Sequence, residues 1–102
     1  GKVLILGWGS TFGAIKTAVK ELIAEGYEVG HAHLRYLNPF PKNLGDVIDR
    51  YDNVLIPEMN NGQLVRIIRD KYLVDALPFD KIKGIPFSAA EIKNKVAEIY
   101  PS

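Results

Sequence analysis

Strand-like segments alternate four times with helical periodicities along this chain, and that rhythm restricts the fold more than any other feature. Val3-Leu4-Ile5-Leu6 is a continuous apolar run closed by Gly7. Short and β-branched, it reads as a strand buried on both faces. The period then changes. Phe12, Ile15, Val19, Leu22 and Ile23 fall on one helical face, with Ser10 or Thr11 as the expected N-cap and Gly26 as the residue after the helix. Glu28 to Tyr36 alternates: Val29, His31, His33 and Arg35 share one face, and Gly30, Ala32, Leu34 and Tyr36 the other. One polar face predicts an edge strand.

Asn38-Pro39-Phe40-Pro41 reads as extended loop, because each proline disfavours helix at the residue before it. Leu44, Val47, Ile48 and Tyr51 then take i, i+3, i+4, i+7 spacing, with Asn43 as the expected cap. Val54-Leu55-Ile56 repeats the first pattern and is expected to close at Pro57. Leu64, Ile67, Ile68 and Tyr72 make a third helical face. Lys81-Ile82-Lys83-Gly84 reads as a short edge strand, and Ser88-Ala89-Ala90-Glu91 as a capping box before Ile92, Val96, Ile99 and Tyr100.

Regular β-α alternation predicts an α/β fold: a three-layer open parallel sheet with helices on both faces. The all-apolar first and third strands belong in its centre and the half-polar second and fourth at its edges. With right-handed crossovers the strand order is 2-1-3-4. A crevice is expected above the carboxyl ends of the first and third strands, where the chain direction reverses.

Composition narrows the function classes. Hydrophobic residues at 47% and charged residues at 25% fit a globular domain, so residues 1–102 read as a single one. Thirteen Lys and Arg against 12 Asp and Glu leave a net charge of +1, which supplies no field for nucleic acid or anionic lipid. With no cysteine, the chain has no thiolate for a disulfide, an Fe–S cluster or nucleophilic attack. The lack of cysteine favours a cytoplasmic setting. No apolar run has the length of a membrane span, and no signal peptide is expected, since Gly1-Lys2-Val3 runs straight into an apolar strand. The start at Gly1 without Met reads as a fragment of a longer polypeptide.

Two loops are expected to rim the crevice. Gly7-Trp8-Gly9-Ser10-Thr11-Phe12-Gly13 and Glu58-Met59-Asn60-Asn61-Gly62-Gln63 each lead into a helix, so N–H groups and positive dipole ends converge. A small anion or nucleotide near Gly9, Ser10 and Gly62 is one reading. The first loop is G-x-G-x-x-x-G, one residue off the dinucleotide fingerprint, and Arg35 stands where an acidic ribose partner is expected. The plainer reading is that Gly7 and Gly9 permit a tight turn and Ser10 or Thr11 caps the helix. His31 and His33 have H-x-H spacing, but catalytic zinc takes three protein ligands, and packing or interface histidines are the expectation. Glu58 is expected to pair with Arg35 or to accept loop N–H bonds, with general-base work the sharper alternative. Ser10 has no evident His or Asp relay. Trp8, Tyr36, Phe40 and Phe87, in or beside loops, suit interface anchoring and core packing equally.

Together these segments resemble a known family. The carriers are Val3 to Thr11, His33-Leu34-Arg35-Tyr36-Leu37-Asn38-Pro39-Phe40-Pro41-Lys42-Asn43, Glu58-Met59-Asn60-Asn61-Gly62-Gln63-Leu64 and Lys83-Gly84-Ile85-Pro86-Phe87-Ser88. They resemble the C-terminal domain of the alpha subunit of 2-oxoacid:ferredoxin oxidoreductases, most like the 2-oxoglutarate type. Phe12 and Asn61 depart from the Tyr and Leu of that pattern. The resemblance implies a transketolase C-terminal-like domain at the C-terminal end of a longer alpha subunit. It also implies a parent enzyme that decarboxylates a 2-oxoacid, forms acyl-CoA and reduces ferredoxin, using thiamine diphosphate, Mg, an Fe–S cluster and CoA. The partners it implies are the other alpha-subunit domains, the beta subunit and ferredoxin. Neither a cluster cysteine nor a thiamine-diphosphate Gly-Asp-Gly…Asn pattern occurs here. A non-catalytic docking role is therefore expected, with Trp8, Ser10, Arg35, Tyr36, Asn38, Phe40, Glu58, Asn60 and Gln63 as candidate contacts.

Overall fold

A computed structural model describes residues 1–35, 40–58, 63–80 and 86–101. Four strands, β1 (Val3–Trp8), β2 (Val29–Leu34), β3 (Asn53–Glu58) and β4 (Leu77–Asp80), alternate with four helices, α1 (Phe12–Ala24), α2 (Leu44–Asp49), α3 (Gln63–Tyr72) and α4 (Ala89–Ile99). The strands pair in parallel in the order β2-β1-β3-β4. This is the α/β architecture and strand order that the burial pattern predicts.

The two-residue period of a strand divides the apolar runs between two cores. Leu4, Leu6, Val54 and Ile56 point into one, against Leu44 and Ile48 of α2 and Leu64, Val65 and Ile68 of α3. Val3, Ile5 and Leu55 point into the other, against Ile15, Ala18 and Leu22 of α1 and Ile92 and Val96 of α4. A run apolar at every position is what a strand needs when both its faces are covered.

Helix ends follow local chemistry. Gly26 takes φ +95°, and the bonds Gly26 N–H to Ile23 O and Tyr27 N–H to Leu22 O, both 3.0 Å, complete a Schellman stop to α1. The α4 capping box forms: the Glu91 N–H donates to Ser88 Oγ at 3.1 Å, and the Ser88 N–H donates to Glu91 Oε1 at 3.0 Å. Thr11 and Asn43 stand at the expected N-cap positions of α1 and α2, but neither side chain makes a capping hydrogen bond. The Thr11 hydroxyl turns back and donates to Trp8 O at 3.0 Å, closing a short 3-10 turn over Gly9–Thr11.

Three expectations need correction. β3 does not close at Pro57. It runs to Glu58, with Pro57 opposite Phe79. The missing N–H is tolerated because the β1–β3 ladder ends at Ile5 and Leu55, so Pro57 has a paired strand on one side only. The fourth strand is Leu77–Asp80, while Lys81-Ile82-Lys83-Gly84 falls outside the described residues. Phe12 and Ile23 do not join the buried face of α1. They stand 46% and 55% exposed, on the flank of the helix that borders β2.

That short β1–β3 ladder shapes the functional end. β1 stays paired with β2 up to Trp8–Leu34, and β3 with β4 up to Glu58–Asp80. The β1–β3 ladder is not continued beyond Ile5 and Leu55, at the topological switch point, where β1 leads into the Gly9–Thr11 turn and β3 ends in Glu58.

Candidate functional site

β1 delivers Gly7, Trp8 and Gly9 to the carboxyl end of the sheet. An ideal Cβ on Gly7 would strike Ile15 Cδ1, and would stand 3.0 Å from Thr11 Oγ1 and 3.3 Å from His33 Nδ1. Glycine is needed here because α1 and β2 close in on the strand, which accounts for Gly7 by packing. Gly9 has open space but φ +67°, a conformation that L side chains resist. Trp8 is half-buried and packs with Phe40 onto the α2/α3 core. Phe40 lies 6.2 Å from the Tyr72 ring, and Lys71 Nζ sits 5.4 Å above the Phe40 ring. Both aromatics thus combine core packing with a partly open surface.

β3 ends in Glu58, which is only 2% exposed. Its carboxylate reaches over the start of α3: Leu64 N–H donates to Oε1 at 2.9 Å, and Val65 N–H donates to Oε2 at 3.3 Å. Of the two expected partners, the backbone N–H groups hold Glu58. No ion pair joins it to Arg35, which is exposed beyond the end of β2. The positive end of α3 is thus already occupied by an internal carboxylate. An added anion would have to displace Glu58 from these donors.

On the far side of β1 from β3, His31 and His33 point from β2 toward α1, and Phe12 covers both. Ring centroids lie 5.5 Å apart for Phe12–His31, 5.0 Å for Phe12–His33 and 5.9 Å for His31–His33. His31 Nε2 and His33 Nδ1 are buried without a hydrogen-bond partner. Burial holds the His31 pKa below its ordinary value, and the neighbouring His33 adds to the effect. Burial also lowers His33, although a hydrogen bond to the Gly9 backbone pulls the other way. Both imidazoles are therefore favoured in the neutral form. Sequence periodicity missed Phe12 as their cover because it counted that side chain with the core face of α1. The usable signal was the H-x-H pair one strand away from an aromatic at a helix start.

The structure thus places Gly7, Trp8, Gly9, Thr11, Arg35 and Glu58 around one end of the sheet, while Phe40 lies against the last turn of α3. Ser10 lies in the 3-10 turn and Gln63 opens α3. Tyr36, Asn38, Asn60 and Gly62 lie outside the described residues. Among the described residues, no group of three His, Cys, Asp or Glu is gathered that could hold a metal ion. No helix among them is long and apolar enough to cross a membrane.

Comparison with known proteins gives a consistent picture. Residues 1–95 match the family model for pyruvate:ferredoxin oxidoreductase core domain II. The chain is 52% identical over 91 residues to the 2-oxoglutarate oxidoreductase subunit KorA of Mycobacterium tuberculosis, covering 89% of this chain and 14% of that protein. It is 32% identical over 102 residues to the 2-oxoglutarate synthase subunit KorA of Archaeoglobus fulgidus, covering 95% and 27%. Among solved structures it resembles the 2-oxoglutarate:ferredoxin oxidoreductase from Magnetococcus marinus, determined with 2-oxoglutarate, coenzyme A and succinyl-CoA bound. The TM-score is 0.89 at 34% identity, over 96% of this chain and 18% of that one. The chain therefore spans well under a third of the length of each of these relatives.

Proposed function

Because the chain belongs to the core domain II family of 2-oxoacid:ferredoxin oxidoreductase alpha subunits, we propose that it serves such an enzyme as a non-catalytic docking domain. In this reading it is one domain of a longer alpha subunit and works in the cytoplasm. The exit loops around Trp8, Arg35 and Phe40 hold the remaining alpha-subunit domains and the beta subunit. The parent enzyme decarboxylates a 2-oxoacid of the 2-oxoglutarate type, forms acyl-CoA and passes electrons to ferredoxin. The oxoacid assignment draws on the two KorA relatives and on the likeness to an enzyme solved with 2-oxoglutarate.

One observation carries the docking reading. Glu58, the acidic side chain at the end of β3 best placed for proton transfer, is buried and bonded to two backbone N–H groups of α3. It is committed to holding the end of β3 to the start of α3, as a structural carboxylate is. The parent's Fe–S cluster also fits poorly here. An Fe–S cluster requires thiolates, and the sequence has no cysteine. Thiamine diphosphate, Mg and CoA are assigned to the other domains and the beta subunit.

The test is oxoacid-dependent dye reduction with thiamine diphosphate and coenzyme A supplied. The assembled enzyme is expected to turn over 2-oxoglutarate in preference to pyruvate, and the isolated chain to turn over neither. Turnover by the isolated chain would overturn the docking role. Preference of the assembled enzyme for pyruvate would overturn the substrate assignment alone.

A further inference from the structure

The two edges of the sheet differ in how they are protected. β4 is four residues long, carries Pro78 within it and ends in Asp80. A short strand with a proline and a charge is a blunted edge. β2 is six residues long, Val29-Gly30-His31-Ala32-His33-Leu34, with neither proline nor lysine. Its inner edge is fully paired with β1, and among the described strands nothing pairs with its outer edge.

The surface beside that edge is equally uneven. On α1, Phe12 and Ile23 are eleven positions apart and so share one side of the helix, with Lys16 and Lys20 close to it. The two apolar side chains are exposed, and Lys16 Nζ stands 5.9 Å from the Phe12 ring centroid. The acids of α1 lie on the opposite side, where Lys93 of α4 binds both Glu21 and Glu25. Arg35 is exposed just past the end of β2. Among the described residues, no carboxylate pairs with Lys16, Lys20 or Arg35. An unprotected strand edge is thus bordered by two apolar side chains and three cations.

We propose that β2 takes an added strand from an acidic, extended segment of another polypeptide. The segment pairs its backbone along Val29–Leu34, rests apolar side chains on Phe12 and Ile23, and brings its carboxylates to Lys16, Lys20 and Arg35. A second copy of this chain is the poorer occupant, since joining β2 to β2 would set two cationic rims against each other. A nucleic acid or lipid surface would use the cations but leave the strand's N–H and C=O groups unpaired. The surface is the side of the sheet, not its carboxyl end, so the inference goes beyond docking through the exit loops.

The test uses the native assembly that contains this chain, with a photo-crosslinking phenylalanine analogue incorporated at position 12. Crosslinked peptides are sequenced, and amide exchange is followed across residues 29–34. The expected result is a crosslink to an extended segment of another chain carrying several Asp or Glu, with slowed exchange in β2; a crosslink within the same chain would overturn the proposal. In Lys16→Glu/Lys20→Glu, crosslink yield should fall by about tenfold, as it does when like charges meet across an interface. Lys16→Gln/Lys20→Gln should fall between that variant and the parent. Both lysines are exposed, so these changes leave the core intact. A crosslink to a second copy, to a helix surface or to a non-acidic segment would overturn the proposal. So would yield insensitive to charge, or fast exchange in β2 with no crosslink at all. Loss of docking through the exit loops, probed separately with Trp8→Ala in turnover assays, leaves this crosslink as an independent readout.

Discussion

Glu58 and Leu64 are joined by a buried hydrogen bond of 2.9 Å that ties the end of β3 to the first turn of α3. The second carboxylate oxygen takes Val65 N–H, so one side chain satisfies two of the donors that a helix start leaves open. Removing it should strand both donors. Glu58→Ala is expected to lower unfolding free energy by about 2–3 kcal/mol, and Glu58→Gln by about 1–2, since an amide keeps one acceptor. Urea unfolding of the three proteins checks the order. Equal stability of Glu58→Ala and the parent would refute the capping role.

Gly7 and Gly9 need to be glycine for different reasons, and alanine separates them. Gly7→Ala drives a methyl into Ile15, with Thr11 and His33 close behind, and should cost about 1–3 kcal/mol through overpacking. Gly9→Ala meets no atom and should cost about 1–2 kcal/mol through its positive φ alone. Trimming Ile15 to Val should partly rescue Gly7→Ala and leave Gly9→Ala unchanged. Thermal melts of the single and double variants decide it.

Acid should weaken the fold through His31 and His33. Both pKa values lie below the ordinary 6.5 in the folded chain, chiefly from burial. Around that pH the unfolded chain therefore binds more protons, and stability rises with pH. The neutral-imidazole contribution is fully present above pH 6.5 and is lost as pH falls through the lowered folded values. His31→Leu/His33→Leu should flatten the pH dependence of melting between neutrality and mild acid. An unchanged slope would show that other groups govern it.

Leu73 follows α3 with φ +54° and 89% of its surface exposed. A bulky residue held in the left-handed region with its side chain in solvent gives little in return for the strain. Leu73→Gly is expected to stabilise the chain by about 0.5–1 kcal/mol, and Leu73→Asn by less. A drop in melting temperature for both would show that the side chain makes a contact worth more than the strain.

Arg35 makes no ion pair with Glu58 and is exposed. Arg35→Ala should therefore change stability by no more than about 0.5 kcal/mol, the usual range for an open surface site. Its effect is expected in assembly, measured as subunit retention on size-exclusion chromatography. A large loss of stability with normal assembly would reverse that assignment.

The sheet order was legible because burial on two faces demands unbroken apolar runs, and Val3 to Leu6 and Val54 to Ile56 have them. The position of β4 was not. Leu77-Pro78-Phe79-Asp80 alternates weakly and carries a proline that argues against a strand, yet an edge strand tolerates both. Pro57 misled in the same way, since no local pattern announces where a ladder to one neighbour stops. At the site, the acceptance of backbone N–H bonds by Glu58 followed from its place before a helix. The Phe12 cover over two histidines did not, because helical periodicity assigns a side chain to a face without saying how far that face wraps toward a neighbouring strand.

The β1–β3 ladder ends where the chain reverses direction, and this gives the sheet an uneven mechanical character. Near the amino end β1 bonds to both β2 and β3, whereas beyond Ile5 it bonds to β2 alone and β3 bonds to β4. There the two central strands are coupled through side chains such as Leu6 and Ile56, which share one core. A load applied at the carboxyl end therefore meets two hydrogen-bonded pairs, and one applied nearer the amino end meets a bonded trio.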